Sequence, residues 1–271
     1  MTPTLYIVGT PIGNLEDMTF RAVRILREVA LIAAEDTRSA HYLLRHYEID
    51  TPVTSYFEGN ERRKLPTLLE ALAQGDVALI SEAGMPAISD PGFLLIQAAV
   101  GREIPVVPIP GPSAHTAALV AAGLPTDRFL FLGFLPRKTS ERDKALVEIA
   151  PLSATLVCYA APHRLAAVLH ALREALGNRD IALCRELTKF HEEVWRGDID
   201  GALAHVEEQA PRGEYTLVIA GAPAEDAVWD RERVLAAITE RMAAGDSHSQ
   251  AARQVAKRSG WPRSDVYDLK T

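Results

Sequence analysis

Leu5-Tyr6-Ile7-Val8-Gly9-Thr10-Pro11-Ile12-Gly13-Asn14-Leu15 begins as four apolar residues and continues as a turn holding two glycines and a proline. A short apolar run that stops at turn residues reads as a buried strand. The turn behind it fits neither of the common phosphate-binding patterns. A Walker loop needs Gly-Lys-Ser/Thr, and a dinucleotide fingerprint needs glycines spaced G-x-G-x-x-G. What decides the fold is that strand, loop and helix recur. Strands are expected at 5–8, 30–34, 77–80 and 105–109, and helices at 19–29, 61–74, 93–100 and 114–122. Strands separated by helices require crossovers, hence a mainly parallel sheet covered on both faces.

Beyond a Gly-Leu-Pro-Thr-Asp segment at 123–127, strands are expected at 129–132, 155–159, 181–187, 193–195 and 215–220, with helices at 140–149, 163–176 and 199–208. Some of these strands are joined closely enough to run antiparallel, so a second, mixed sheet is expected. From residue 230 onward the pattern is wholly helical. The expected organisation is therefore α/β, with an N-terminal domain at 1–122, a second α/β domain at 123–228 and a C-terminal helical tail at 229–271.

Composition narrows the function classes. With 271 residues, 48% hydrophobic and 24% charged, the chain reads as a globular protein large enough for two cores. No basic segment leads into an apolar run at the N-terminus, and no stretch of 18 apolar residues occurs, so neither a signal peptide nor a membrane span is expected. A cytoplasmic location follows as an expectation. Cys158 and Cys184 each lie in an apolar run and read as buried thiols. The eight histidines show no metal-ligand spacing, so no metal is expected. A net charge of −7 argues against a general nucleic-acid coat protein, because such proteins neutralise phosphates with Lys and Arg, but it leaves room for a local RNA site.

Ligands of open α/β sheets bind beyond the carboxyl ends of the strands. Four loops of the first half are placed there: 9–14, Glu35-Asp36-Thr37-Arg38, 81–92, and Pro110-Gly111-Pro112-Ser113. Gly and Pro in all but the second imply fixed backbone close to whatever binds. Each loop taken singly also reads as an ordinary strand-to-helix connection. Likewise, Glu35, Asp36 and Arg38 read equally as an ion-pair cluster capping the next helix.

The motifs Val8 to Leu15, Ala34 to Arg38, Ser81 to Gly92, Pro108 to Ser113, Gly133-Phe134-Leu135-Pro136, Pro162-His163-Arg164 and Arg185-Glu186-Leu187-Thr188-Lys189 occur in fixed order. In that order they resemble the tetrapyrrole methylase superfamily (class III methyltransferases), and within it the branch that methylates the 2′-hydroxyl of a cytidine ribose in 16S rRNA. The resemblance implies a two-domain α/β homodimer with S-adenosylmethionine in the interdomain cleft, no metal, and a decoding-region cytidine, within the 30S subunit, as methyl acceptor. For a base, the carboxylates on the loop edge are the candidates, Glu35, Asp36, Glu82, Asp90 and, across the cleft, Glu186; Glu35 is expected as proton acceptor or acceptor-orienting group, with Asp36, Arg38 and Asn14 as the other catalytic residues. The resemblance carries donor contacts over to Glu82, Met85, Ser113, Ala114 and Ala160 and to the backbone near Ala220 and Gly221, and Pro11, Gly84, Asp90, Pro110 and Gly111 on the same loops are expected at the donor site with them.

Three positions depart from the family pattern: Glu82 stands where Asp is usual, Met85 where Thr is usual, and Ala161 where an acid commonly precedes Pro162-His163-Arg164. A carboxylate beside a sulfonium favours the charged ground state, so Glu82 suits a ribose or amino group of the donor better than the reacting centre. Arg62-Arg63-Lys64, Arg137-Lys138 with Arg142, and Arg253, Lys257, Arg258 and Arg263 are candidate RNA patches, the last with Trp261 and Tyr267 for stacking. Two alternatives stay open: methylation of a tetrapyrrole carbon, and a non-catalytic RNA-binding factor of the same fold.

Overall fold

The computed structural model describes residues 2–223, 229, 231–243 and 245–269, and of residues 257 and 258 the backbone alone. Five strands, β1 (Leu5–Val8), β2 (Leu31–Ala34), β3 (Val53–Ser55), β4 (Val77–Ile80) and β5 (Val106–Ile109), form a wholly parallel sheet in the order β3-β2-β4-β1-β5. Between them run α1 (Phe20–Glu28), α2 (Thr37–His46), α3 (Glu61–Leu72) and α4 (Phe93–Val100). Ala22, Ile25 and Leu26 of α1 and Ala40 and Leu44 of α2 pack on one face with Val8, Ile32 and Ile80. On the other face, Leu68 and Leu72 of α3 and Leu95 and Ala99 of α4 pack with Leu5, Ile7 and Leu79. Full burial of each Leu or Ile contributes about 1.5–3 kcal/mol. Both faces being covered is why these strands read as continuous apolar runs.

The helix after β1 goes to one face and the helix after β4 goes to the other, although β1 and β4 are neighbours. Their following loops therefore part at a topological switch point, where α/β folds open a crevice. Pro108, which lacks an N–H for a ladder, is tolerated because β5 is the edge of the sheet. Strand β3 escapes the sequence pattern because its three residues are only half-buried and carry no alternation to read.

Helix α5 (Ala114–Ala122) follows β5 and ends at Gly123 in the left-handed region. Its Ala118, Leu119 and Ala122 pack on the second sheet, against Val157, Ala182, Cys184 and Val218. That sheet contains β6 (Phe129–Phe134), β7 (Thr155–Ala160), β8 (Asp180–Arg185), β9 (Glu193–Asp198) and β10 (Tyr215–Ile219) in the order β6-β7-β10-β8-β9. Only β6 and β7 are parallel; β10 runs antiparallel to both neighbours, and β8 to β9. Helices α6 (Thr139–Ile149), α7 (Leu165–Leu176) and α8 (Ile199–Glu208) cover its other face through Leu146, Leu169, Leu172 and Val206. Cys158 and Cys184 are buried free thiols, as their apolar surroundings led us to expect.

Both sheets belong to one compact unit, Met1–Ala150 with Ala154–Ala220; Pro151–Ser153 and Gly221–Thr271 form a second. Within the second unit, α9 (Arg231–Ala243), α10 (His248–Ser259) and α11 (Arg263–Tyr267) enclose a small core of Val234, Ile238, Ala252, Val255 and Val266. Ser247 and Gln250 form a reciprocal capping box at the start of α10. No helix among the described residues is long and apolar enough to cross a membrane.

Candidate active site

The loops after β1 and β4 are stitched together by two backbone hydrogen bonds, Thr10 N–H to Gly84 C=O at 2.9 Å and Gly84 N–H to Thr10 C=O at 3.0 Å. Gly84 sits at φ +80°, a conformation that only glycine adopts without strain. Behind this stitch, the loops after β1 and β5 touch backbone to backbone. A Cβ on Gly111 would lie 2.9 Å from both the Cα and the carbonyl oxygen of Gly9. Gly9 and Gly111 therefore serve close approach of two chain segments, which answers why the opening turn needs glycine without a phosphate to hold.

Two adjoining cavities open over this frame. The first has a volume of about 340 Å³, within the roughly 300–1,000 Å³ typical of small-molecule sites. The first sheet gives it Gly84, Met85 and Asp90; Ser113, Ala114 and His115 come from the start of α5; Ala160 and Thr216 come from the second sheet. Ser113 precedes α5 but does not cap it with its side chain; its hydroxyl instead lies 3.1 Å from His115 Nδ1 and 3.1 Å from Thr116 Oγ1. The His115 ring stacks on Phe131 with centroids 4.4 Å apart and lies 3.3 Å from the Tyr159 hydroxyl. Burial holds the imidazole pKa below its usual value, which favours the neutral ring.

The second cavity is a more open cleft of about 750 Å³. Pro11 and Ile12 bound it on one side, Glu35, Arg38 and Tyr42 on another, and Glu82, Lys189 and Glu214 at its rim. Lys189 is held by Glu186 and Glu214, each 2.9 Å from its Nζ. Burial alone lowers the proton affinity of this ammonium, but the two carboxylates more than offset it and raise its pKa. The strained backbone of this segment, with Glu186 at φ +49° and Thr188 at φ +67°, aims Lys189 back at the cleft.

Three carboxylates from the loops of the first sheet line the cleft, Glu35, Glu82 and Asp90, and of these Asp90 alone also lines the first cavity. Glu35 accepts the backbone N–H of Glu82 at 3.3 Å, and the Ser39 hydroxyl donates to Glu82 at 3.4 Å. Burial raises the pKa of Glu35, and the nearby Glu82 and Asp36 charges add to that. Asp90 is pushed up to about 6, first by burial and then by the Glu35 charge, with the Ser81 hydroxyl partly offsetting both. Among the described residues no group of His, Cys, Asp or Glu is arranged to hold a metal ion.

The structure thus gathers Gly84, Met85, Asp90, Ser113, Ala114 and Ala160 at the first cavity. Pro11 and Glu82, expected with them, face the cleft instead. For Glu82 the reason is the bend at Glu82-Ala83, beyond which Gly84 and Met85 line the first cavity. Glu35 and Arg38 also line the cleft, whereas Asp36 does not: its carboxylate accepts the N–H groups of Arg38 and Ser39, at 2.7 and 3.3 Å, as the N-cap of α2. Its hydrogen bond to the Arg38 guanidinium lowers its pKa further. Asn14 caps the 3₁₀ turn Leu15–Asp17 through the Glu16 N–H. Pro110 and Gly111 line neither cavity, and Gly111 serves the close approach to Gly9.

Ala220 differs most from expectation. Tyr215 pairs with Ala160 while Ile219 pairs with Leu156, so the start of β10, not its end, reaches the first cavity. Glu214, Tyr215 and Thr216 stand there, and Ala220 lies at the other end of the strand, bonded to Asp180. Gly221 belongs to the second unit. Sequence reasoning missed Glu214 to Thr216 because it looked for sites only after strands. It also missed His115 and Tyr159, whose signals were the helix start at Ser113 and an apolar strand run that looks like core, and Phe134 stood in a motif without a role.

Of the basic clusters, Lys64 donates to Thr54 at 2.9 Å, Lys138 pairs with Glu141 at 3.1 Å and Arg142 with Asp143 at 3.0 Å. In the second unit, Trp261 is not free to stack: its indole N–H donates to the Trp229 carbonyl at 2.6 Å and its ring packs on the helical core. Tyr267 is half exposed, and Arg263 reaches Ser249 at 3.4 Å. The side chains of Lys257 and Arg258 lie outside the described residues.

Comparison with known proteins shows which proteins the chain resembles. The family described as Tetrapyrrole (Corrin/Porphyrin) Methylases matches residues 4–202. A protein of Halalkalibacterium halodurans named ribosomal RNA small subunit methyltransferase I is 44% identical over 271 residues, covering 98% of this chain and 94% of that protein. Its namesake from Synechocystis is 47% identical over 268 residues, covering 98% of this chain and 96% of that protein. Among solved structures, uroporphyrin-III C-methyltransferase from Thermus thermophilus, complexed with S-adenosylhomocysteine, superposes with a TM-score of 0.56 at 20% identity, over 79% of this chain and 96% of that one.

Proposed function

The chain belongs to the tetrapyrrole methylases and, within them, to the ribosomal RNA small subunit methyltransferase I family, and on that premise we propose that it methylates the 2′-hydroxyl of a cytidine ribose in the decoding region of 16S rRNA. S-adenosylmethionine is the donor, and the acceptor is the 30S subunit. The enzyme works in the cytoplasm as a homodimer. The observation that carries this reading is the pair of adjoining cavities, one narrow and largely apolar, the other wide and lined by charged groups.

The narrow cavity suits the donor. Gly84, Met85, Ser113, Ala114, Ala160 and Thr216 offer backbone groups, two hydroxyls and apolar walls to an adenosine and its thioether chain. When bound there, S-adenosylmethionine supplies a methyl group already activated by sulfonium charge, so neither a metal nor a phosphate clamp is needed. The wide cleft suits a nucleotide that has left its helix. Arg38, exposed over 91% of its side chain, offers guanidinium donors to the RNA backbone, and Tyr42 and Phe134 offer exposed rings to a base. Glu35 sits between these groups and orients the ribose.

A ribose hydroxyl is a weak nucleophile, so alignment with the methyl group dominates catalysis. Orientation supplies about 7–11 kcal/mol of the barrier and proton removal a further factor of about 10²–10⁴. Tritium transfer from labelled S-adenosylmethionine to unmodified 30S subunits, with mapping of the labelled nucleotide, tests the reading. The expected result is label on one decoding-region ribose, reduced at least about tenfold in Glu35→Gln while the donor still binds. Label entering a porphyrinoid but not RNA would favour the tetrapyrrole alternative. Donor binding with no transfer to any acceptor would favour a non-catalytic factor.

A further inference from the structure

Ile12, Ala83, Asp90, Phe134 and Glu214 line both cavities, and only two of these five side chains ionise. Glu214 is committed to Lys189 at 2.9 Å and its side chain is 78% exposed. Asp90 has no cationic partner among the described residues and is more than half buried. We infer that Asp90 is the proton acceptor of the reaction, its carboxylate standing where the narrow cavity meets the open cleft. This assignment rests on the methyl-transfer reading above and selects, among the loop-edge carboxylates, one that was expected chiefly at the donor site.

The step balances without a further reagent. As the ribose oxygen forms its bond to the methyl carbon, the carbon–sulfur bond breaks and its electron pair stays on sulfur. The hydroxyl proton passes to the Asp90 carboxylate and then to solvent through the cleft. The acceptor oxygen must lie at the boundary between donor and nucleotide, and that boundary is where Asp90 stands. Glu35 lines only the cleft, and one of its oxygens already accepts the Glu82 N–H.

The backbone around Asp90 supports a positioned role. Ala87 and Ser89 both adopt left-handed conformations, at φ +67° and +64°, in the loop that delivers it. Non-glycine residues held in that region store about 1–3 kcal/mol each, and they cluster at functional sites. The groups facing Asp90 are Glu82 and the Ser81 hydroxyl on its own loop, Glu35 beyond β2, Tyr159 on β7, and Glu214 before β10, with His115 held neutral on α5. No cation of this set draws its pKa down, and a value of about 6 leaves most of the carboxylate ionised at neutral pH. A base poised near the working pH is the efficient one.

Linkage gives a second readout, one that reports the burial of the carboxylate and not its role. Asp90 binds its proton more tightly folded than unfolded, so it favours the folded state at acid pH and loses that contribution as pH rises through about 6. Removing the charge with Asp90→Asn should therefore raise the melting temperature at pH 8 while slowing turnover.

The test compares wild type, Asp90→Asn and Asp90→Glu in single-turnover methylation of 30S subunits from pH 5 to 9, with S-adenosylhomocysteine affinity measured in parallel. Wild type should show an acid limb breaking near about 6. The Asn variant should lose that limb and about 10²–10⁴-fold in rate, with analogue affinity within about threefold of wild type, and the Glu variant should recover part of the rate. An Asn variant that keeps its rate and acid limb overturns the assignment. So does one whose rate falls only in step with analogue affinity, which makes Asp90 a donor contact. Absence of transfer by the wild-type protein removes the underlying reading itself, a result distinct from either.

Discussion

The two sheets each have five strands and each contribute one wall of the narrow cavity, yet they present their residues by opposite rules. In the first sheet every strand points the same way, so Gly9, Glu35, Glu82 and Gly111 all follow a carboxyl end and share one edge. In the second, β10 runs against β7, and the residues at the site come from the end of β7, at Ala160, and the start of β10, at Tyr215 and Thr216. A parallel sheet thus gathers all its loops of one kind at one place, whereas a mixed sheet splits them between two edges. The rule that ligands bind beyond carboxyl ends transfers to the first wall and fails on half of the second.

Substitution can break this contrast or sharpen it. The largest effect should come from Gly111→Ala, because the added Cβ meets backbone atoms of Gly9 that have nowhere to move. A loss of about 1–3 kcal/mol of stability is expected, with weaker S-adenosylhomocysteine binding as the first wall opens. Unchanged denaturant midpoint and unchanged binding would show that the contact between the β1 and β5 loops does not shape the site. A smaller effect is expected on the second wall. Thr216→Val keeps the shape of a buried residue that lines the cavity and removes its hydroxyl, which should weaken analogue binding by about 1 kcal/mol, roughly fivefold. Ala220→Ser, at the far end of the same strand, should leave binding unchanged. The reverse ranking of these two in a calorimetric titration would place the donor at the other end of β10.

Much of the fold was legible because its physical causes are local. Strands β1, β2 and β4 are apolar throughout since both faces of the parallel sheet are covered, and α1 repeats its buried Ala22, Ile25 and Leu26 at helical spacing. Strand β3 was not legible because its half-buried residues at the sheet edge carry no pattern.

At the site, the Gly and Pro loops of the first sheet announced themselves, but their purpose did not. Gly9 and Gly111 look like ligand-contact glycines until their mutual approach is seen. Asp36 and Asn14 look catalytic by their neighbours, while their carboxylate and amide groups satisfy the free N–H groups of helix starts. Strand direction decides whether Ala220 or Thr216 reaches the cavity, and direction is set by long-range pairing that no window of sequence contains.

The most direct test of the account is a crystal structure of the protein with S-adenosylhomocysteine. The account predicts the ligand in the narrow cavity, between Gly84 and Ser113 on one side and Ala160 and Thr216 on the other, with its sulfur turned toward Asp90 and the open cleft. Ligand found in the wide cleft against Glu35 and Arg38, or beside Ala220, would contradict it.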